Sequence, residues 1–422
     1  MSSQENQLIT PQVITDESLR LLHDKMPFVK RLNRRYSDEF DQGARHSDEV
    51  LVRHPNRYEV RSGATLKPQS TKETVTSLSL NSRKGVDLSV TSKDLTLHID
   101  EFSHRYLEPA ISTLASAIEA DVLSTVLEDV VHAVALRSDT PSPDWYHGMG
   151  LLGIWFDMML IPEDQRRLVM NSFDQAEMVD ALKKYPQSSQ AVSRQYETGQ
   201  MGRFQGFDIG MSLSMPTRQR RGRVERGLDE FSLESGGRHI LEEAAPASFD
   251  RVKVSRRGAE KGLKLPQKGD WITFDGVYPV HPETKDPVRS FALKPFKVVS
   301  VTGGEVVFTP PLIWRGAHQN ASLSGGAKAF DSRLIKATAD DKTYRWNLAF
   351  DKEAIAFVTA DLALPKDVDF AHRSTYQEIA LRVVRKYDIN EDSFPCRIDV
   401  LYGSKLLRPD SVCLLVGNSD AA

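Results

Sequence analysis

Cysteine is nearly absent from this chain: 422 residues contain two, Cys396 and Cys413. Two thiols exclude a disulfide-scaffolded fold and fit a reducing compartment, where thiols stay free. They flank the last apolar stretch and either face each other or serve as small core residues. No uninterrupted run of about 18 apolar residues is present, so no bilayer-spanning segment is expected. The first residues, MSSQENQLITPQ, lack the basic and apolar regions of a signal peptide. Charge of one sign is missing too. Against 55 Lys and Arg stand 58 Asp and Glu, a net charge of −3, which provides no global field toward nucleic acid or membrane.

The chemistry-bearing motifs are also missing. HExxH, CxxC, GxSxG and GxxxxGK do not occur. His98 and His104 are out of phase for one helical face. SGGAK at 324–328 lacks the hydroxyl and upstream glycine of a phosphate loop. No catalytic, metal or cofactor-binding set can be nominated, and none is expected.

What is present is pattern. ITDESLRLLHDKMPFVKRL reads as a short amphipathic helix with Thr15 at its N-cap and Asp16 and Glu17 near its positive end. ETVTSLSLNSRKGVDLSVTSKDLTLHI alternates as a two-stranded ribbon turning at Asn81–Gly85, too thinly apolar to stand alone. In EPAISTLASAIEADVLSTVLEDVVHAVA and just before it, Leu107, Ile111, Leu114, Ile118, Val122, Val126 and Val130 recur at steps of three and four. That spacing predicts a long helix with Pro109 in its first turn, preceded by a separate short helix capped by Asp100. A helix, strand and helix follow over 150–184, the last with Asp174 at its cap.

The texture changes near Pro216. Short strands then recur, including a hairpin at Gly303–Gly304, and a small all-β barrel is expected between 217 and 343. Because mixed α/β texture resumes afterwards, the barrel reads as inserted. The chain closes on RIDVLYGSKLLRPDSVCLLV, read as strand, tight turn, strand. The apolar run SVCLLV requires a central position in a sheet begun before the insertion.

Two charged stretches are candidate contacts. In RQRRGRVER, residues Arg218, Arg220, Arg221 and Arg223 offer phosphate or intersubunit contacts, with a solvated loop as the plainer alternative. In HPETKDPVRS, residues Glu283, Lys285, Asp286 and Arg289 offer ion pairs across subunits, again against a solvated loop.

Several stretches resemble the major capsid proteins of tailed double-stranded DNA phages. They include LSLNSRKGVDLSVTSKDLTLHIDEFSHRYLEPAISTLASAIEADV, IPEDQRRLVMNSFDQAEMV, GFDIGMSLSMP, KGDWITFDGV, NLAFDKEAIAFV and CRIDVLYGSKLLRPDSVCLLV. The nearest likeness is to short-tailed phages of the Salmonella transducing type, whose coat protein carries an inserted I-domain. Ser172 departs from the proline expected there, and 218–250 matches little.

The resemblance implies an α+β, HK97-type capsid fold. Its parts would be an N-terminal arm (1–47), an E-loop with flanking strands (48–98), a P-domain spine helix (99–136), an A-domain (137–216), the inserted barrel (217–343) and returning strands (344–422). It further implies self-assembly as pentamers and hexamers into an icosahedral shell, assembled in the host cytoplasm and ending as the virion. A scaffolding protein, a portal protein and non-specifically packaged DNA are the implied partners, with no membrane. Asp16 and Glu17 are the candidate scaffold-binding residues. A cellular cargo-enclosing shell of the same fold is the sibling reading, and a cytoplasmic α/β enzyme with an accessory barrel is the alternative. On the shell reading, a chain lacking 50–90 is expected to fold yet form no shells.

Overall fold

The computed structural model describes residues 11–37, 49–91 (apart from 59, 62, 67 and 70–72), 103–136, 144–182, 202–217, 230–233, 248–255, 266–288, 293–324, 334–336 and 344–418 (apart from 367 and 392). In chain order the helices are α1 (Pro11–Asp24), α2 (Glu108–Asp129), α3 (Trp145–Met158) and α4 (Ser172–Leu182). The strands before the insertion are β1 (Glu49–Arg53), β2 (Val75–Ser79), β3 (Ser82–Thr91), β4 (His132–Ala135), β5 (Arg166–Met170), β6 (Gly202–Phe204) and β7 (Phe207–Met211). Then come β8 (Glu230–Leu233), β9 (Ser248–Ser255), β10 (Trp271–Phe274), β11 (Val277–Pro279), β12 (Pro295–Thr302), β13 (Glu305–Ile313), β14 (Ala321–Leu323) and β15 (Leu334–Lys336). The chain ends through β16 (Tyr344–Asp351), β17 (Ile355–Ala360), β18 (Phe370–Tyr376), β19 (Ile379–Arg385), β20 (Ser393–Leu406) and β21 (Val412–Asn418). The fold is α+β. Two compact units result, the first from 1–53, 75–127 and 352–407, the second from 54–74, 128–351 and 408–422.

In the first unit β20 organises a five-stranded sheet. It pairs antiparallel with β3 from Ser393 to Tyr402, and on its other side with β19 and then β17. The predicted ribbon is therefore corrected: β2 and β3 do not pair with each other. β2 joins β1, while β3 joins β20. Gly85 is no turn residue. A Cβ there would lie 2.6 Å from both the Ile398 carbonyl and an Asp399 oxygen, so only glycine admits this close strand pairing. Val52 and Leu78 of the β1–β2 pair are buried with Ala356, Val358 and Leu407. Lys84 Nζ reaches the Ala117 carbonyl at 2.9 Å and Asp121 at 3.3 Å. Removing 50–90 would thus strip β20 of one ladder and open the core, so the expectation that such a chain still folds is withdrawn. Within the connection 54–74, Tyr58, Val60 and Leu66 are in water.

Helix α2 buries the predicted face, Ile111, Leu114, Ile118, Val122 and Val126. Two of its expected limits are corrected. Ser103–Leu107 is a π turn continuous with α2, not a separate helix. Pro109 has no N–H to donate to residue 105, and the wider turn absorbs that lost bond. The capping residue expected for that separate helix, Asp100, lies outside the described residues. At the other end the helix stops at Asp129, and His132–Ala135 is strand with alternating burial. The β-branched run Val130, Val131, Val134 favours the extended form. By length and composition Ser103–Asp129 is apolar enough to cross a membrane, which corrects the expectation that no such segment exists; 56% of that window is buried inside the protein.

Helix α1 is described from Pro11, so Thr15 is not its N-cap but a buried interior residue, and Asp16 and Glu17 stand inside the helix. Leu19 and Leu22 are buried, and His23 meets Tyr376 of β18 edge-on at 5.5 Å. Beyond it the Phe28 N–H donates to buried Glu119 Oε1 at 2.6 Å, and Asn33 bridges to Ala356 beside β17. The arm rests on its own chain.

In the second unit the six-stranded sheet runs β4-β21-β16-β5-β7-β6, with β4/β21 and β5/β7 parallel. β21 lies between β4 and β16, central as its two-sided apolarity required. The closing hairpin is corrected: β20 and β21 belong to different sheets. Leu406 and Leu407 are buried and Pro409 opens a 3₁₀ turn, so the chain passes on instead of folding back. Cys396 and Cys413, one on each strand, are buried free thiols. Trp145, Met149, Leu152 and Phe156 of α3 pack with Leu168, Met178, Phe207 and Leu415. The cap of α4 is also corrected, since the Asn171 side chain, not Asp174, accepts from the helix start, here the Asp174 N–H at 2.9 Å. Ser172 is the first helical residue, where proline and serine are both tolerated.

The same unit contains a closed six-stranded barrel, β10-β12-β13-β9-β8-β15, filled by Phe249, Ile272, Phe274, Phe296, Phe308 and Leu312. Its β12–β13 hairpin turns at Gly303 and Gly304, both with positive φ (60° and 86°), as a two-residue hairpin loop demands.

Gly403 of β20 faces the Ser79 carbonyl, and a Cβ would stand 2.0 Å from that oxygen. Gly403→Ala is expected to destabilise the chain by about 2 kcal/mol or more, read as a lowered urea midpoint; an unchanged midpoint would show that the β2–β20 approach is not close-packed.

Candidate functional site

Asp16 is exposed on the solvent side of α1. Glu17 is already engaged: Arg20 grips it at 2.8 and 2.9 Å and the Ser103 hydroxyl donates at 3.2 Å. That hydrogen-bonding arginine holds the carboxyl below its ordinary value. Of the two scaffold candidates, only Asp16 presents an unclaimed face of α1 to solvent.

In the 281–288 loop Glu283 and Asp286 are exposed. Lys285 turns inward instead, its φ positive at 63°, with Nζ donating to the carbonyls of Pro282 (2.5 Å) and Ala317 (2.8 Å). It braces the loop from within. Arg289, the arginines Arg218, Arg220, Arg221 and Arg223, and the SGGAK stretch beyond Ser324 lie outside the described residues. Of the two histidines weighed at 98 and 104, His104 pairs with Glu108 at 3.1 Å. Among the described residues no group of three metal-ligating side chains converges.

The KGDWITFDGV stretch has a local reason for its form. Gly269 (φ 86°) permits the turn, and the buried Asp270 carboxylate accepts the Gln267 N–H at 2.7 Å. Trp271 then leaves the barrel wall to donate its indole N–H to the Val131 carbonyl at 2.7 Å, and Lys297 donates to the Glu128 carbonyl. These two bonds fasten the barrel to the segment entering β4.

Beside that fastening lies a charge cluster that periodicity could not show. His132 opens β4, Lys294 precedes β12, Asp410 stands in the turn before β21, and Arg57 follows β1. Asp410 Oδ2 is 3.5 Å from Arg57 and Oδ1 is 3.6 Å from His132 Nε2. Lys294 is 3% exposed and donates to the Asn320 carbonyl at 2.8 Å. Together with Trp155, Pro279 and Val280 they line a cavity of about 20 Å³, the size of one water. Burial pushes Lys294 down to about 8, opposed by Asp410 and aided by Arg57. Burial also lowers His132. Burial alone would raise Asp410, but His132, Lys294 and Arg57 outweigh it and hold the carboxyl well below the ordinary range. The only signal in the sequence was the apolar company of His132 and Lys294, too common to single them out.

A second buried polar set stiffens the sheet. Asp174, fully buried, receives Asn347 Nδ2 at 2.6 Å and Asn171 Nδ2 at 2.9 Å, with Arg345 Nε at 2.7 Å. Burial raises its carboxyl in spite of these partners.

Residues 246–417 match the family model described as P22 coat protein, gene protein 5. The matched stretch begins just before β9 and runs through the barrel into β21. The family matched is that of a structural coat protein. No curated protein sequence matches. Among solved structures, one of Mycobacterium phage Che8 is 12% identical, covers 92% of this chain and 90% of its own, and superposes with a TM-score of 0.43. The capsid structure of cyanophage P-SCSP1u is 12% identical over 88% of this chain and 83% of that one, with a TM-score of 0.41. The mature capsid of bacteriophage PhiM1 is 10% identical over 89% and 83%, with a TM-score of 0.39. At these scores the likenesses imply nothing about function.

The lysine pair in this region has a signed consequence. Lys294 and Lys297 both titrate near 8 in the native chain, against an ordinary 10.5. Below 8 both are charged at a cost. Between 8 and 10.5 the unfolded chain binds more protons, so stability rises with pH across that window. Lys294→Met removes one desolvated charge and one hydrogen bond, and is expected to stabilise the chain by about 1–2 kcal/mol at pH 7 and to flatten the rise. Urea unfolding at pH 7 and pH 10 checks both; a less stable variant with the full rise would refute the reading.

Proposed function

We propose that this chain is the major capsid protein of a tailed double-stranded DNA phage, an HK97-type fold that builds an icosahedral shell by packing many copies of itself. The observation that carries this reading is the continuous coat-protein match over 246–417, which takes in barrel strands and returning strands alike. In that frame the barrel between 217 and 343 is the inserted I-domain, α2 is the spine helix, and the exposed 54–74 connection is the E-loop. Tyr58, Val60 and Leu66, held in water by one copy, gain from burial on another at roughly 25 cal/mol per Å². Shell contacts of this permanent kind run to about 2,000 Å² or more.

Assembly proceeds through a scaffolded procapsid in the host cytoplasm, with a portal at one vertex and DNA enclosed afterwards. A basic scaffold segment meets α1 at Asp16, the acidic residue of the pair not occupied by Arg20. Glu283 and Asp286 offer anions to a neighbouring subunit, with Lys285 holding their loop in shape.

The test is electron microscopy of the full chain produced with and without its scaffolding protein. Closed shells of uniform size are expected with scaffold. A monomer at every concentration that turns over a metabolite would refute the proposal, and shells loaded with host protein instead of DNA would transfer it to a cellular compartment. Asp16→Lys should leave the subunit folded by circular dichroism and slow scaffold-assisted assembly by about ten-fold, consistent with loss of a charged contact; an unchanged light-scattering time course would remove the α1 assignment.

A further inference from the structure

The cavity cluster joins four stretches that are distant in sequence, and one of them leads into the exposed connection 54–74. Among the described residues lining the cavity, Asp410 is the one carboxylate. Its two oxygens are divided: Oδ2 faces Arg57 at 3.5 Å, and Oδ1 faces His132 Nε2 at 3.6 Å. We propose that the Arg57–Asp410 pair is a latch on the base of the 54–74 loop and that His132 is its release, a proton on the imidazole drawing the carboxylate away from Arg57.

Both contacts are longer than a charge-assisted hydrogen bond, so a closer hold on His132 lengthens the hold on Arg57. Among the described residues neither ring nitrogen of His132 has a hydrogen-bond partner within 3.5 Å, and the residue is 2% exposed. A neutral imidazole tolerates such a site; an imidazolium does not, because a buried charge without a partner is expensive. The charged groups facing it are Asp410 from the turn before β21, Lys294 from the approach to β12, and Arg57 from the loop. From α3 comes Trp155, tilted against the imidazole at 4.4 Å, which holds the ring in place. From β21 comes Cys413, whose thiol burial pushes well above its ordinary range, so it contributes no charge. Lys294 is committed to the Asn320 carbonyl and repels a second cation. Among the described residues, the carboxylate within reach of a protonated His132 is Asp410. Arg57 is 39% exposed at its side chain and can exchange the carboxylate for water at little cost. Burial lowers the histidine, so the exchange falls on the acid side of its ordinary 6.5. Beyond Arg57, Tyr58 and Val60 are exposed, Val60 at 95%.

The inference concerns the single subunit and stands apart from the capsid reading. Val60→Cys provides a probe site, since Cys396 and Cys413 are buried and do not label in the folded chain. A fluorophore there is followed by time-resolved anisotropy on the full chain in dilute, unassembled form, from about pH 7.5 to about pH 5. The expected result is a restrained probe at neutral pH whose local correlation time falls about two-fold or more on acidification, with a midpoint below 6.5. Arg57→Gln and Asp410→Asn should be mobile at every pH, and His132→Gln restrained at every pH. The latch is overturned if Arg57→Gln keeps wild-type restraint at neutral pH, or if the acid step persists in His132→Gln. Should His132→Gln not fold, Asp410→Asn decides alone: an acid step surviving in it overturns the proposal.

Discussion

Backbone pairing along both edges of β20 is the constraint on which the first unit depends. A strand of 14 residues paired along both edges must satisfy its N–H and C=O groups, and β3 alone supplies ten register partners. That demand explains features that look unrelated in the sequence. Gly85 lacks a side chain because the Ile398 carbonyl occupies its place, and Gly403 because the Ser79 carbonyl does. The alternation of Val86 and Leu88, too thin for an independent hairpin, suffices once β20 supplies the ladder and α2 lies nearby. Asp399, 5% exposed, is tolerated in that ladder because Arg83 and Arg382 both reach it, at 2.9 and 2.6 Å.

In the second unit the corresponding demand falls on β21, and it is met by a parallel partner and an antiparallel one. Apolar packing of α3 and α4 then fixes which face is inside, while the polar set around Asp174 fixes register. Three buried hydrogen-bonding side chains that must all be satisfied leave few alternative arrangements of β5, β16 and α4. The barrel is attached differently, by donors aimed at backbone carbonyls of the segment entering β4 and by charges gathered beside it. Such attachments respond to protons and salt, where apolar packing does not.

This division suits the proposed capsid role, in which rigid sheets would carry surfaces and exposed apolar residues such as Leu66 would be covered by a neighbouring copy. Among the described residues, the shifted groups Asp410, Lys294 and Asp174 pair with one another, with neighbouring cations or with amides.

The sequence by itself determined the elements whose signal is local: the buried face of α2, the Gly303–Gly304 hairpin and the central placement of the SVCLLV strand. Each rests on periodicity or on a glycine conformation, and both are properties of neighbours in the chain. Only the tertiary structure decided partners. That β3 joins β20 and not β2, that Asn171 caps the helix where Asp174 was expected, and that β20 and β21 part into two sheets all turn on contacts between distant residues. The meeting of Arg57, His132, Lys294 and Asp410 is the extreme case, for no local pattern marks four residues that become neighbours only when the chain is folded.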